Sequence, residues 1–526
     1  MANFTKTSAY KGLQKNKEFL KDMRLSQLFA DNPRRAAEFG ASACGILFDF
    51  SKNLLDARTL DGLVRMADQL ELRSRIRDLF DGVKLNRTEG RAALHTALRA
   101  AGAGSIILDG RDIVREISAT RSRMFGFAES VHSGSYLGAT GARILDVVNI
   151  GIGGSHLGPK MAVRALSAFA SPLIKTHFVS NVDAASLKET LSKLSPETTL
   201  FIVSSKTFAT DETMTNAASA REWLATRLGT AAVRRHFCAV SANARAAADF
   251  GVERELVFPF GDYVGGRYSV WGPVGLALAV AIGSGNFERF LAGARDADSH
   301  FRTAPLRSNL PVLMALVGVW NNNFLGITDE VVLPYSEHLE YLPSYLQQLV
   351  MESNGKSVDS AGRPVAYATA PSLWGEPGTN GQHSFYQLLH QGARKILCDF
   401  ILVARPPAEL GHHSLKLLAN AIAQSEALML GADNPDPARK LEGNRPSNAF
   451  LLDRLDPYSL GALLALFEHR TFVEASLWDI NPFDQMGVEL GKKLAEKVLD
   501  DLEGTASHPH DSSTSSLISE VKRLRG

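Results

Sequence analysis

Only three cysteines occur in 526 residues. Cys44, Cys238 and Cys398 stand far apart and form no Cys-x-x-Cys pair, which excludes a disulfide framework and a zinc–thiolate site. Their scarcity suits a reducing, cytoplasmic compartment. Net charge is missing too: 57 Lys+Arg against 56 Asp+Glu leave +1. No electrostatic footprint for nucleic acid or a membrane surface follows, and an anionic ligand must be bound locally. The amino terminus, Met-Ala-Asn-Phe-Thr-Lys-Thr-Ser, lacks an apolar segment with a small-residue cleavage site. The longest apolar run, around Gly272 to Ile282, falls short of the roughly 18 residues that span a bilayer. No internal repeat is present.

Nucleotide fingerprints are absent as well. A glycine-rich turn, Gly151-Ile-Gly-Gly-Ser-His-Leu-Gly158, follows a strand pattern, but a dinucleotide site would need glycine where His156 stands and an acidic residue closing the next strand. The one Gly-Lys-Ser, Gly355 to Ser357, has Val350 where the first glycine of a P-loop belongs. His412 and His413 are adjacent, so they fall on different helical faces and make poor joint metal ligands. No cofactor and no metal are expected.

What remains is an ordinary globular composition, 45% hydrophobic and 21% charged, long enough for roughly two to four domains. Lys11 to Gly104 carries apolar residues at helical spacing, such as Leu60, Leu63, Val64, Ala67 and Leu70, and reads as a helical arm with little sheet of its own. Arg91 and His95 show no catalytic spacing there. Between Gly110 and Gly285, short β-branched and aromatic runs alternate with helical stretches: Leu145–Ile150, Lys175–Ser180, Thr199–Ser204, His236–Ser241 and Leu256–Phe260. Their spacing of about 20 to 35 residues is the rhythm of βαβ units and predicts an α/β fold with a doubly wound parallel sheet. Ligands in such sheets sit beyond the carboxyl ends of the strands. A second αβ region follows, with strands at Glu330–Tyr335 and Lys395–Arg405 and helices at Leu339–Glu352 and His412–Gly431. The division is 1–109, 110–285, 286–503 and a tail, 504–526, expected to be mobile up to a short terminal helix.

One stretch organises the rest, Asp262-Tyr-Val-Gly-Gly-Arg-Tyr-Ser-Val-Trp-Gly-Pro-Val-Gly275. Its glycine pair lets the backbone approach a ligand and presents the permanently charged Arg267. Ser204-Ser-Lys-Thr-Phe-Ala-Thr210 runs into a helix predicted over Asp211 to Leu228. The hydroxyls of Ser205, Thr207 and Thr210, the Lys206 ammonium and the helix N-terminus suit a phosphate monoester. The Gly151–Ser155 turn can also hold a small anion. Glu352 falls in the last turn of its helix, before Ser353-Asn-Gly355, where the negative dipole end favours a protonatable carboxylate. Gly375-Glu-Pro-Gly-Thr-Asn-Gly-Gln-His383 brings His383 to the start of a helix through Tyr386 to Gln391, which favours neutral imidazole. Gly491 leaves room for a ligand beside Lys492.

Six segments in order resemble the glucose-6-phosphate isomerase family in its bacterial form: Asn149–Ser155, Ser205–Phe208, Gly261–Ser269, Met351–Lys356, Gly375–His383 and Asp484–Lys492. The resemblance implies two αβα sandwich domains of sugar-isomerase type with mainly parallel sheets, and an amino-terminal helical arm packed with the larger domain. It further implies a homodimer and the reversible aldose–ketose isomerisation of glucose 6-phosphate and fructose 6-phosphate. By resemblance, Glu352 is the base that moves the proton between C2 and C1, His383 and Lys492 open the ring, and Arg267 is the cation beside the enediolate. Gly154, Ser155, Ser205, Lys206, Thr207 and Thr210 are implied as phosphate and substrate contacts, and Gln348 and Gln485 as sugar or water contacts. His383 would come from the neighbouring subunit. Ala209 and Asp211 depart from the threonine and glutamine of the family pattern, Met486 from tryptophan, and Asp211 puts a negative charge near the phosphate. Two alternatives draw on the same residues: a related sugar-phosphate isomerase on this sheet, and a sugar-phosphate-sensing binding protein. A bare sensor would need neither a base nor a ring-opening pair.

Overall fold

The computed structural model describes residues 4–100 and 104–526. Two compact units divide the chain, Met1–Pro482 and Phe483–Gly526. Within the first, a five-stranded sheet runs in the order Lys175–Val179, Asp146–Ile150, Thr199–Ser204, Phe237–Val240, Val257–Phe258, parallel throughout. Every residue of Thr199–Ser204 is buried, as expected for a central parallel strand covered on both faces. Each of the five predicted runs forms one of these strands. The chain moves outward from Asp146–Ile150 in one direction and then, from Thr199–Ser204, in the other. That reversal opens a crevice beyond the carboxyl ends of these two neighbours.

A six-stranded sheet repeats the plan. Its parallel part runs Ser447–Arg454, Leu397–Arg405, Asp329–Tyr335, Ser372–Gly375, so the chain again reverses about its first strand. The two sheets thus share a strand order that no repeat in the sequence announces. The amino-terminal segment contributes more than helices. Gly40–Ala43 and Ile46–Asp49 form a hairpin, and Ile46–Asp49 pairs antiparallel with Ser447–Arg454. The arm thus has little sheet of its own, as expected, and its hairpin extends the six-stranded sheet. Cys44 and Gly45 both have positive φ, 53° and 76°, as the tight two-residue turns that match strand twist require.

Two long helical stretches lie in the core. Pro273–Thr303, kinked at Gly283 where φ is 79°, has the length and apolar content of a membrane span, yet 72% of its most apolar part is buried inside the protein. Pro457–Trp478, opened by a capping box between Asp456 and Ser459, is buried on nearly every face. In the second unit, Glu489–Glu503 and Ser512–Arg525 are helical. The serine-rich run at 512–516, expected to be mobile, begins the latter helix because Asp511 caps its Ser513 and Thr514 N–H groups.

Candidate active site

Both glycine- and hydroxyl-rich loops leave the strands that flank the first crevice: Gly151–Ser155 after Ile150, and Ser205–Thr210 after Ser204. The 261–269 loop closes against them. At Gly154 a Cβ would stand 2.1 Å from the Gly266 carbonyl carbon and 2.6 Å from the Arg267 nitrogen, so the two backbones meet only because glycine occupies position 154. Gly153, with φ of 57°, places its Cα where a Cβ would lie 3.2 Å from Gln348 Nε2. Lys206 Nζ lies 3.4 Å from the carbonyl oxygens of Asp262 and Val264 and 3.2 Å from Asp262 Oδ1. Ser205 and Thr210 hydroxyls bond each other at 3.0 Å. Thr210 is the residue before helix Asp211–Leu228 and makes no cap bond with its side chain, so this 18-residue helix opens toward the loop without a side-chain cap. Thr207 is exposed on the same loop.

Arg267 is 3% exposed. Its Nε donates to Ser353 Oγ at 2.7 Å and its Nη2 to the Pro482 carbonyl at 2.7 Å, while Nη1 stands 3.6 Å from Glu352 Oε2. The Tyr268 hydroxyl bonds Ser353 Oγ at 2.8 Å, and the Tyr268 ring stacks on His95 with centroids 4.7 Å apart. His95, which showed no catalytic spacing in the sequence, therefore packs behind the arginine loop, and burial holds its imidazole well below the usual histidine range.

Glu352 does not end a regular α-helix as the spacing predicts. The helix Leu342–Leu346 passes into a π-helical turn, Gln347–Glu352, before Ser353 and Asn354. Such i→i+5 turns concentrate at functional sites because they re-aim side chains without breaking the helix. Here Gln348 Oε1 and Glu352 Oε2 are both buried acceptor atoms with no hydrogen-bond partner. Buried acceptors are ordinarily satisfied, so two on one turn mark atoms available to a ligand.

Behind the turn lies a buried ionic cluster that the sequence reading missed. Asn354 Nδ2 donates to the Thr471 carbonyl at 3.1 Å and to Glu474 Oε2 at 3.2 Å. Arg470 binds Glu474 at 2.9 Å, Asp399 at 3.4 Å and Glu330 through two contacts. One guanidinium among three buried carboxylates leaves excess negative charge. Burial and the Glu330 carboxylate raise Asp399 well above the carboxylate range, and burial pushes Glu474 up to about 7 against the pull of Arg470. A second cluster joins Arg99 to Asp298 at 2.7 Å and to Glu468, which also accepts Trp271 Nε1–H at 2.8 Å. The two clusters tether the 267–271 and 352–354 segments to helix Pro457–Trp478.

The structure thus brings together Gly154, Ser155, Ser205, Lys206, Thr210, Arg267, Gln348 and Glu352. His383 is exposed at the end of the turn Asn380–His383, and its side chain makes no hydrogen bond or ion pair among the described residues. Gln485 and Lys492 belong to the second unit. Gln485 is exposed, and Lys492, in the first turn of Glu489–Glu503, bonds Glu489 at 3.0 Å.

A family model described as phosphoglucose isomerase matches residues 49–518. A glucose-6-phosphate isomerase of Methylococcus capsulatus is 47% identical and one of Deinococcus deserti 50% identical, each alignment covering 100% of both chains. The crystal structure of a glucose-6-phosphate isomerase from Chlamydia trachomatis superimposes with a TM-score of 0.89 at 32% identity, over 99% of this chain and 100% of that one. With its fold and its whole length in agreement with these relatives, the chain belongs to the phosphoglucose isomerase family.

Proposed function

We propose that this chain reversibly converts glucose 6-phosphate to fructose 6-phosphate by ring opening and proton transfer through a cis-enediol. The observation that carries the reading is the buried Oε2 of Glu352, without a hydrogen-bond partner and 3.6 Å from Nη1 of Arg267. The phosphate serves as a handle, so that binding energy remote from the reacting carbons positions C1 and C2. Ser205, Lys206, Thr207 and Thr210, with the Gly154–Ser155 turn, hold that phosphate and the adjoining substrate. Glu352 takes the hydrogen from one carbon as a proton and returns it to the next, while Arg267 stabilises the negative charge that develops between them. No net electrons leave the sugar, so the chemistry needs no external redox partner. Gln348 and Gln485 bind sugar hydroxyls or water.

His383 and Lys492 open the ring, and His383 does so in the site of a second copy within a homodimer. Supporting this, His383 is exposed and uncommitted, and helix His413–Leu430 exposes Leu415 and Ile422 at 64% and 56%. A coupled assay on the purified chain with fructose 6-phosphate and chelator present tests the reading. Steady production of glucose 6-phosphate is expected. Binding without turnover would favour a sugar-phosphate sensor, and turnover of another sugar phosphate alone would favour a related isomerase. A single-copy mass by light scattering would overturn the homodimer.

A further inference from the structure

We propose that Ser353 is a positioning residue that holds Arg267 just short of a hydrogen-bonded ion pair with Glu352. The inference rests on the isomerase reading, in which Glu352 is the base. Ser353 is fully buried, and its Oγ receives the Arg267 Nε–H at 2.7 Å. That oxygen is itself fixed by the Tyr268 hydroxyl at 2.8 Å, and Tyr268 is held by its stack on His95. On the other edge of the guanidinium, Nη2 is tied to the Pro482 carbonyl at 2.7 Å. With the guanidinium held by these contacts, its Nη1 stands 3.6 Å from Glu352 Oε2, beyond hydrogen-bond range. Asn354 pins the same turn from behind through Thr471 and Glu474, which fixes the backbone that carries Glu352.

The separation matters to the chemistry. Left free, a guanidinium and a carboxylate close to about 2.7–2.9 Å as a charge-assisted pair. A closed pair would occupy the oxygen that has to accept a carbon-bound hydrogen, and would stabilise the ionised base before the transition state rather than the enediolate within it. Ser353 keeps the arginine near enough to answer developing charge and too constrained to quench the base. Ser353 contacts no reacting atom in this scheme; it works through Arg267.

The test compares steady-state kinetics of the full-length chain and its Ser353→Cys, Ser353→Thr and Tyr268→Phe variants on fructose 6-phosphate, with thermal melting of each. Cysteine nearly keeps the volume, but its sulfur is a weak acceptor. Ser353→Cys is expected to lower kcat about 10- to 100-fold, the usual result of misplacing a catalytic group by a fraction of an ångström, with KM changed less than about threefold. Ser353→Thr keeps the oxygen and is expected to recover most of the rate. Should both position-353 variants fail to fold, Tyr268→Phe carries the test: it removes one phenolic oxygen and is expected to lower kcat about 3- to 10-fold at unchanged KM. Wild-type kcat in folded Ser353→Cys overturns the proposal, and so does an equal loss in the cysteine and threonine variants, or wild-type kcat in Tyr268→Phe when neither of them folds. A wild-type chain inert toward fructose 6-phosphate overturns the isomerase reading and this inference together, whereas an active wild type with an unaffected Ser353→Cys overturns this inference alone.

Discussion

Arg267 Nη1 lies 3.6 Å from Glu352 Oε2, close enough to stabilise charge near the carboxylate and too far to bond it. A cation that acts on the transition state and not on the bound sugar contributes to kcat. Arg267→Ala is therefore expected to lower kcat by on the order of 10²-fold or more, as loss of an oxyanion-type donor does. An unchanged kcat with a raised KM would assign the arginine to binding instead. Glu352→Gln is expected to abolish solvent-hydrogen exchange at C2 in step with turnover, a loss on the order of 10²- to 10⁴-fold. Exchange that survives in this variant would place the base elsewhere.

The contact between Gly154 and Gly266 has no slack. A methyl group at Gly154 would meet backbone at 2.1 Å, and backbone cannot rotate aside as a flexible side chain can. Gly154→Ala must part the anion loop from the arginine loop, and kcat/KM is expected to fall about 10²-fold. Gly126 lies inside the helix Ile113–Ser133 and faces open space. Gly126→Ala should leave kinetics untouched and raise stability by about 0.5–1 kcal/mol. Equal kinetic effects of the two substitutions would deny the close approach any functional role.

Lys206 is held between loop carbonyls and the Asp262 carboxylate, 3.2 Å away, at the edge of the hydroxyl-lined loop. A lysine that serves as a phosphate contact is lost mainly from ground-state binding. Lys206→Ala is expected to raise KM for fructose 6-phosphate about tenfold or more with a smaller change in kcat, and to weaken competitive inhibition by inorganic phosphate to match. Asp262→Asn, which removes a competing anion, is expected to move both in the opposite direction. Inhibition by phosphate that is unchanged in Lys206→Ala would remove the lysine from the anion site.

Local physics made much of this fold legible. The helix Asp211–Leu228 lies where its polar start and apolar face predict it, and the strands of the five-stranded sheet follow from short β-branched runs between turns. What escaped notice depends on distant partners or lacks a sequence period. Pro457–Trp478 is buried all round, so its apolar residues mark no face. Arg470 meets Glu330 140 residues away, and no spacing reports such a pair. Nothing in the local spacing marks the π turn at Gln347–Glu352, so Glu352 is legible as a residue at a helix end while its aim is not. Ser353 shares a motif with the more conspicuous Glu352, and only the fold joins it to Arg267. His383 shows the converse case, since it stood out in a glycine-rich loop and then proved exposed and uncommitted within the chain.

His156, beside the anion loop, connects this geometry to pH. Its side chain is 9% exposed, its Nδ1 has no hydrogen-bond partner, and burial, aided by Lys160, pushes its pKa down to about 4. In the unfolded chain the same ring titrates near 6.5. Above pH 6.5 neither state holds the proton, so the stability contribution is fully present. Between 6.5 and about 4 the unfolded state binds the proton and the folded state does not, so stability falls with pH, by at most about 3 kcal/mol from this group. Glu468 and Glu474 act with the opposite sign: burial raises both to about 7, so their contribution is present below 4.5 and is lost as pH rises toward 7. The total profile mixes the two trends, but the difference between wild type and His156→Gln isolates the histidine. Across urea midpoints measured from pH 4 to 8, wild type should gain on His156→Gln steadily as pH rises to 6.5, with a constant difference above. A difference that does not vary across that range would show that His156 is protonated as readily in the folded protein as in the unfolded chain.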